Sequence, residues 1–266
     1  MRRNMLVEEI MRRDVVKVDT DRPIAYALRL MKRADADGFL VVENGALVGS
    51  TSYWDLMVRL GGARVRGADA SSIYVSSVME PVKATLSPKS RVVEAARLMA
   101  EDPFHAIPIL ERGEVVGVLE PRDLVKVLLD DEIPASNLST MNVPKVAVSG
   151  RVIHARRLMI GEGVRSLAVV SDGVAVGVID DDQVVDALVG LISSLPPEKQ
   201  KAGIRRLTVA DLGPKRVRVG NDASLNEVAK LVADASAKGV PIVDDEGMLT
   251  GFVTVRELAK FISAQA

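Results

Sequence analysis

Cysteine is absent from this chain of 266 residues. That removes disulfides, thiolate nucleophiles and cysteine zinc sites, and it suits a reducing compartment. Histidine is scarce as well: His105 and His154 alone are too few for a histidine metal cluster. Aromatic residues make up 3% of the chain, so rows of base-stacking side chains are not expected. An excess of charge is missing too. The formal net charge of −1 gives no general attraction to nucleic acid or to an anionic membrane. No apolar run approaches the roughly 18 residues that would cross a bilayer. The opening "MRRNMLVEEIMRRD" mixes charged and apolar residues as an amphipathic turn does, unlike a signal peptide. The expectation is a cytoplasmic protein with neither nucleic-acid nor membrane partners.

What is present is core-forming material, 48% hydrophobic and 27% charged, arranged in repeats. Glycines at 49, 117, 177 and 251 each open a related stretch: "GSTSYWDL", "GVLEPRDL", "GVIDDDQV" and "GFVTVREL". Upstream of each lies the same order of features. A short alternating strand comes first, then a polar turn, then a segment of helical period such as "ALRLM", "AARLM", "HARRLM" or "EVAKLV". A β-branched run follows, then a turn carrying Gly45, Gly113, Gly173 or Gly247, then a strand that reaches the aligned glycine. A final helix closes each copy, such as Asp123 to Leu129. The reading is four β-α-β-β-α units, at about 5–60, 74–130, 135–192 and 205–264. A unit of roughly 50 to 60 residues seldom buries enough apolar surface alone. Pairing sheet to sheet is expected, giving halves at 1–130 and 131–266. Linkers are read at Gly61 to Tyr74, Asp130 to Asn137 and Ser193 to Arg206.

The order of these marks resembles the CBS domain. The residues that carry the likeness are "IMRRDVVKVDTD" and "VMEPVKATLSP", "ALRLM" and "AARLM", "AIPIL" and "GVPIV", and the strand-to-helix ends quoted above. It covers nearly the whole chain outside the linkers. The resemblance implies an α/β (α+β) fold in which paired units form a Bateman module. Four units imply two pseudo-twofold modules, closed into a disc by one chain or completed by a second chain as a homodimer. It also implies an adenosyl ligand in clefts between paired units: AMP, ADP or ATP first, with S-adenosylmethionine and NAD as further members of the class. No cofactor is required, and no metal.

The repeated junction carries two readings. Ser52 with Asp55, and Thr254 with Glu257, fit a capping box, in which hydroxyl and carboxylate satisfy the free N–H groups of a helix start. Asp180 with Gln183 fits it too, and Pro121 suits a first helical position. Such a cap is worth about 1 kcal/mol and needs no ligand. The same helix start also seats a phosphate, and a carboxylate there can accept both hydroxyls of a ribose.

Under the resemblance the second reading applies unequally. Ser52 and Asp55 match the family motif best. Thr254 is kept, but Glu257 replaces the aspartate. Asp123 is kept, but Glu120 replaces the hydroxyl and repels a phosphate unless a cation intervenes. The third unit, with Asp180 and Gln183, lacks the ribose carboxylate. His105, Lys238 and Arg165 stand where phosphates lie in that family, or else are solvated residues at the start of a strand. Arg122 and Arg256, on first helical turns, reach the same place. Thr85 matches the hydroxyl that borders the adenine, where the other units have Lys17, Ala147 and Arg218. Trp54 is expected in a packed interface and His154 as a partly exposed structural residue.

Three functions follow. The first is a regulatory module that senses an adenine nucleotide. The second is a ligand-independent scaffold or regulatory subunit for a target protein. The third, an enzyme, has no nucleophile–base pair, metal cluster or glycine-rich phosphate loop to support it, and none is left over once the repeats are removed. A non-enzyme is the expectation.

Overall fold

The computed structural model describes residues 4–60, 72–235 and 237–265. Most of the first linker, residues 61–71, lies outside them.

The first unit shows how local sequence sets the fold. After a single helical turn, α1 (Val7–Ile10), come β1 (Lys17–Asp19), α2 (Ile24–Ala34), β2 (Gly38–Glu43), β3 (Ala46–Ser52) and α3 (Tyr53–Leu60). Ile24, Ala27, Leu28 and Met31 recur at helical spacing and bury one face of α2. Asp35, left-handed at φ 46°, stops the helix. β1 runs parallel to β2, and β2 antiparallel to β3. Asn44 and Gly45 join β2 to β3, with φ of 51° and 83°, as a two-residue hairpin turn requires.

The second unit has α4 (Val92–Glu101), β4 (Ile107–Glu111) and β5 (Glu114–Leu119). Two features depart from the repeat. Its first strand shrinks to one parallel bridge, Leu86 with Ile109, because Pro88 follows and cannot donate to a ladder. Its closing helix is a 3-10 helix, Pro121–Val127, not an α-helix over Asp123 to Leu129. The third unit comprises β6 (Lys145–Ala147), α5 (Val152–Glu162), β7 (Ser166–Ser171), β8 (Val174–Asp180) and α6 (Asp181–Ser194). The segment read as the last linker is largely helical, α7 (Pro197–Arg206). Buried Gln200 donates from it to the carbonyls of Ile192 and Leu195, which the end of α6 leaves unpaired. The fourth unit has β9 (Val219–Gly220), α8 (Leu225–Ala235), β10 (Gly239–Val243), β11 (Leu249–Thr254) and α9 (Val255–Ser263).

Units 1 and 2 meet edge to edge, through bridges of Ser50 with Glu80 and Arg12 with Val118. Units 3 and 4 repeat this with Val178 to Lys215 and Thr140 to Phe252. The aligned glycines sit under these crossings. A Cβ at Gly177 would lie 2.2 Å from the Lys215 carbonyl oxygen, and one at Gly49 would lie 2.8 Å from that of Glu80. At these two positions the glycine answers to the partner unit's backbone, whereas at Gly251 the near atoms belong to the Ser139 side chain.

The lead-in segments also cross over. Val7, Ile10 and Met11 of unit 1 are buried in the cluster that holds Ala96, Leu119 and Leu124 of unit 2. Ile73, Val75 and Val78 return the exchange in the cluster of Leu28, Phe39 and Leu56. Helices make the remaining contacts: α3 lies on α6, joining units 1 and 3, and α4 lies on α9, joining units 2 and 4. Contacts thus run from unit 1 to 2 to 4 to 3 and back to 1. Among the described residues no helix is long and apolar enough to cross a membrane.

Candidate functional site

All four helix starts are capped alike. The Ser52 N–H and Oγ both donate to Asp55 Oδ2 at 2.8 Å. The Thr254 N–H donates to Glu257 Oε2 at 3.2 Å, and its hydroxyl bonds the same oxygen. The Glu120 N–H donates to Asp123 Oδ2 at 2.9 Å, and the Asp180 N–H to Gln183 Oε1 at 3.0 Å. Capping accounts for the third residue of each motif. The caps differ in what faces them from the paired unit.

Two caps face a cation already in place. Arg12 lies 2.8 Å from Glu120 and also donates to the carbonyls of Ala34 and Asp35, at 2.7 and 2.6 Å. Glu120, 1% exposed, further accepts from the Asp37 N–H at 2.7 Å and from Arg122 Nε at 3.0 Å. The space left beside it is about 270 Å3. The cation that Glu120 needs in order to tolerate an anion is thus supplied by the chain itself. In the third unit Lys215 does the same, 2.8 Å from buried Asp180 and 3.4 Å from Asp182. Arg12 and Lys215 are equivalent residues, each forming the backbone bridge to the partner strand. The other two bridges use Glu80 and Thr140.

The caps facing Glu80 and Thr140 adjoin open clefts. Beside the first unit's cap, about 670 Å3 is bounded by Val82, Ala84, Leu98, Asp102 and His105. His105 shuts this space off from Asp55: its Nε2 lies 3.1 Å from Asp55 Oδ1, and its Nδ1 lies 2.9 Å from Asp102 Oδ1. Burial alone would lower the histidine's pKa, but the bonds to Asp102 and Asp55 outweigh it and raise the value to about 9. Burial likewise opposes ionisation of Asp55, and the bonds from His105 and Ser52 override it and lower its pKa.

A pH dependence follows. Unfolded histidine titrates near 6.5, so the contribution of His105 is complete below that pH and fades as pH rises through about 9. Urea unfolding is expected to lose about 2 kcal/mol between these limits in the wild type. His105→Gln should be flat across the window; an equal fall in that variant would refute the assignment.

Beside the fourth unit's cap, about 740 Å3 is open. Phe104, Pro144, Val164 and Phe252 give apolar walls, and Thr254, Arg256 and Glu257 line one side. Among the described residues, Arg256 Nε is buried with no hydrogen-bond partner. Arg165 and Lys238 line it too, each 3% exposed.

Those two cations belong to the centre of the molecule. Asp37, His105, Arg165 and Lys238 hold one repeat position, at the start of the second strand in units 1 to 4. Lys238 Nζ lies 3.0 Å from Asp37 and 3.3 Å from Asp182, and it bonds Asp181. Arg165 is 2.7 Å from Asp181 and 3.5 Å from Asp37. Burial alone would raise the Asp37 pKa, but Lys238, Arg165 and Arg122 hold it well below the usual carboxylate range. Beyond this layer Asp37, Asp182, Asp186 and Tyr53 line a hollow of about 610 Å3. Sequence reasoning passed over Asp37, although the repeat column, acidic once and basic three times, was the signal.

The sequence profile of the CBS domain matches residues 7–62, 75–130, 135–190 and 209–264. The chain belongs to the CBS domain family. Protein MJ1404 of Methanocaldococcus jannaschii is 26% identical over 283 residues, covering 98% of this chain and 62% of MJ1404. Protein MJ0188 of the same organism is 27% identical over 131 residues, 48% of this chain and 46% of MJ0188. The chain thus spans less than two thirds of the length of these curated relatives. Among solved structures, protein MJ1225 of M. jannaschii, described as a proposed archaeal homologue of γ-AMPK, superposes with a TM-score of 0.80 at 21% identity. That match covers 97% of this chain and 99% of MJ1225. A conserved protein from Pyrococcus horikoshii gives 0.63 at 18% identity, covering 97% and 100%. Both share the fold.

Across the four CBS domains the candidate residues separate into groups. Lys238, Thr254, Arg256 and Glu257 come together on one open cleft. Ser52, Asp55 and His105 come together at the other, with Ser52 and Asp55 buried beneath the histidine. Thr85 is exposed, one residue beyond the cleft-lining Ala84. Arg122 and Asp123 lie at the cap occupied by Arg12: Arg122 pairs with Asp35 at 2.9 Å, and Asp123 with Lys126 at 3.0 Å. Trp54, next to Asp55, stacks on Phe104 of the second CBS domain with ring centroids 4.1 Å apart. His154 is exposed on α5.

Proposed function

We propose that this CBS protein is a regulatory module that binds an adenine nucleotide in the cleft at Glu257. One observation carries the reading. That cleft combines apolar walls, an acceptor carboxylate beside a threonine, and the buried, unpartnered Arg256 Nε. Adenine would lie between Pro144, Val164 and Phe252, the ribose hydroxyls on Glu257, and the phosphate on Arg256.

The cleft at Asp55 is the second site. A ribose there, with Thr85 at its margin, has to displace His105 from Asp55, so it binds more weakly. Where Arg12 and Lys215 already neutralise Glu120 and Asp180, no nucleotide is held, and Arg122 and Asp123 stabilise that arrangement. Binding at Glu257 acts on the first turn of α9, which lies against α4 of the second CBS domain. A ligand that prefers one arrangement of this helix pair shifts the population between arrangements.

Thermal melting with AMP, ADP, ATP, S-adenosylmethionine and NAD tests the reading. At one hundred times the dissociation constant, the bound ligand adds about 2.7 kcal/mol. No shift with any of them at millimolar concentration would favour the scaffold reading, which the two self-filled caps already suit.

A further inference from the structure

We infer that Asp37 limits the number of phosphates on the nucleotide, by holding the charged ends of Arg165 and Lys238 away from the cleft at Glu257. The inference rests on the proposed nucleotide site and names the ligand class within it.

Arg165 and Lys238 line the cleft. Their charged ends are engaged by carboxylates, two of which, Asp37 and Asp182, line the hollow on the other side. Three carboxylates, Asp37, Asp181 and Asp182, surround these two cations, and Lys215 also reaches Asp182 at 3.4 Å. A phosphate chain that grew inward from the cleft would meet cations already paired with carboxylates. Arg256 is different. It also lines the cleft, and among the described residues its buried Nε has no partner. One guanidinium matches one phosphate in its fork geometry. The cleft is therefore built for a monophosphate.

Asp37 decides this because of where it stands. In the other three units its repeat position is basic. From the first unit it reaches across to Lys238 and Arg165 of the fourth and third. Neutralising it as asparagine leaves two cations against Asp181 and Asp182, removes one of the two oxygens that accept from Lys238 and Arg165, and turns the pair toward attracting anions. Asp37 is a positioning residue: it acts through Arg165 and Lys238 and does not line the cleft.

The test is calorimetric titration of the whole chain with AMP, ADP and ATP, for the wild type, Asp37→Asn, Asp182→Asn and Asp186→Asn. The wild type should bind AMP at least about tenfold more tightly than ATP. Asp37→Asn should shift the ATP-to-AMP affinity ratio toward ATP by about tenfold or more. Asp182→Asn should shift it the same way by less, since Asp182 is 25% exposed. Asp186 pairs with Lys32, so Asp186→Asn should leave the ratio alone. A ratio between nucleotides is not moved by a general loss of stability. If AMP binds and neither Asp37→Asn nor Asp182→Asn moves the ratio, the inference fails while the nucleotide site stands. A wild type that prefers ATP also overturns it. If the wild type binds none of the three, the site itself is wrong and the inference falls with it. Should Asp37→Asn not fold, an unmoved ratio in Asp182→Asn is sufficient to reject it.

Discussion

Lys238→Met lowers the stability of the protein by about 3–5 kcal/mol, the usual cost of removing one partner from a buried ionic group. Lys238 is 3% exposed and touches Asp37, Asp181 and Asp182, from the first and third CBS domains. Without it those carboxylates stay buried, with Arg165 as their main remaining counter-charge. The cation also ties units together, so the loss should appear as a lower denaturation midpoint, with unit 4 opening first. Urea unfolding measures the first, and hydrogen exchange along α8 and β10 measures the second. Adding Asp37→Asn to Lys238→Met should recover part of the loss, because one uncompensated charge is removed with its partner. If Lys238→Met costs less than about 1 kcal/mol, the central charges are solvated and the description of the core is wrong.

Arg256→Ala removes the phosphate's share of binding. Hydrogen bonds to charged groups contribute about 1.5–3 kcal/mol, so AMP affinity should fall by about ten- to a hundredfold. Adenosine, which has no phosphate, should bind the variant as it binds the wild type. Arg256 makes no side-chain bond to the cap of α9; only its backbone N–H does, with Thr254 Oγ at 3.2 Å. The cap therefore survives the substitution. Equal losses for AMP and adenosine would show that Arg256 shapes the cleft rather than holding the phosphate.

The fold was legible because each unit repeats its own instructions. Ile24, Ala27, Leu28 and Met31 mark a helix, and Asn44–Gly45 marks a hairpin, before any long-range contact is considered. Where the repeat weakened, the structure departed from it: Pro88 cut a strand short, and the expected α-helix after Glu120 is a 3-10 run. The segment from Ser193 to Arg206 read as a linker because of its two prolines, yet Pro197 sits at a helix start, where its missing N–H costs nothing.

The site was legible only as far as one motif at a time. Motif comparison ranks Ser52 with Asp55 first, since both residue types match. Access ranks the clefts differently, because access depends on what the partner unit brings. His105 closes Asp55, Arg12 occupies Glu120, and Lys215 occupies Asp180. Each of these residues lies in another CBS unit, and no spacing rule within one unit reveals its approach. The reason for the aligned glycine was likewise out of view: at Gly49 and Gly177 its close neighbour is the partner's backbone. Asp37 was in view as a repeat position, but its meaning lay in two cations more than a hundred residues away.

The central claim is that nucleotide binds at Glu257, and calorimetric titration of AMP against the wild type, Glu257→Ala and Asp123→Ala tests it most directly. Both substitutions remove a comparable cap, at about 1 kcal/mol of stability each. They differ in the cleft they face. AMP affinity should fall by about tenfold or more in Glu257→Ala and stay near the wild-type value in Asp123→Ala. Binding retained in Glu257→Ala and lost in Asp123→Ala would contradict it.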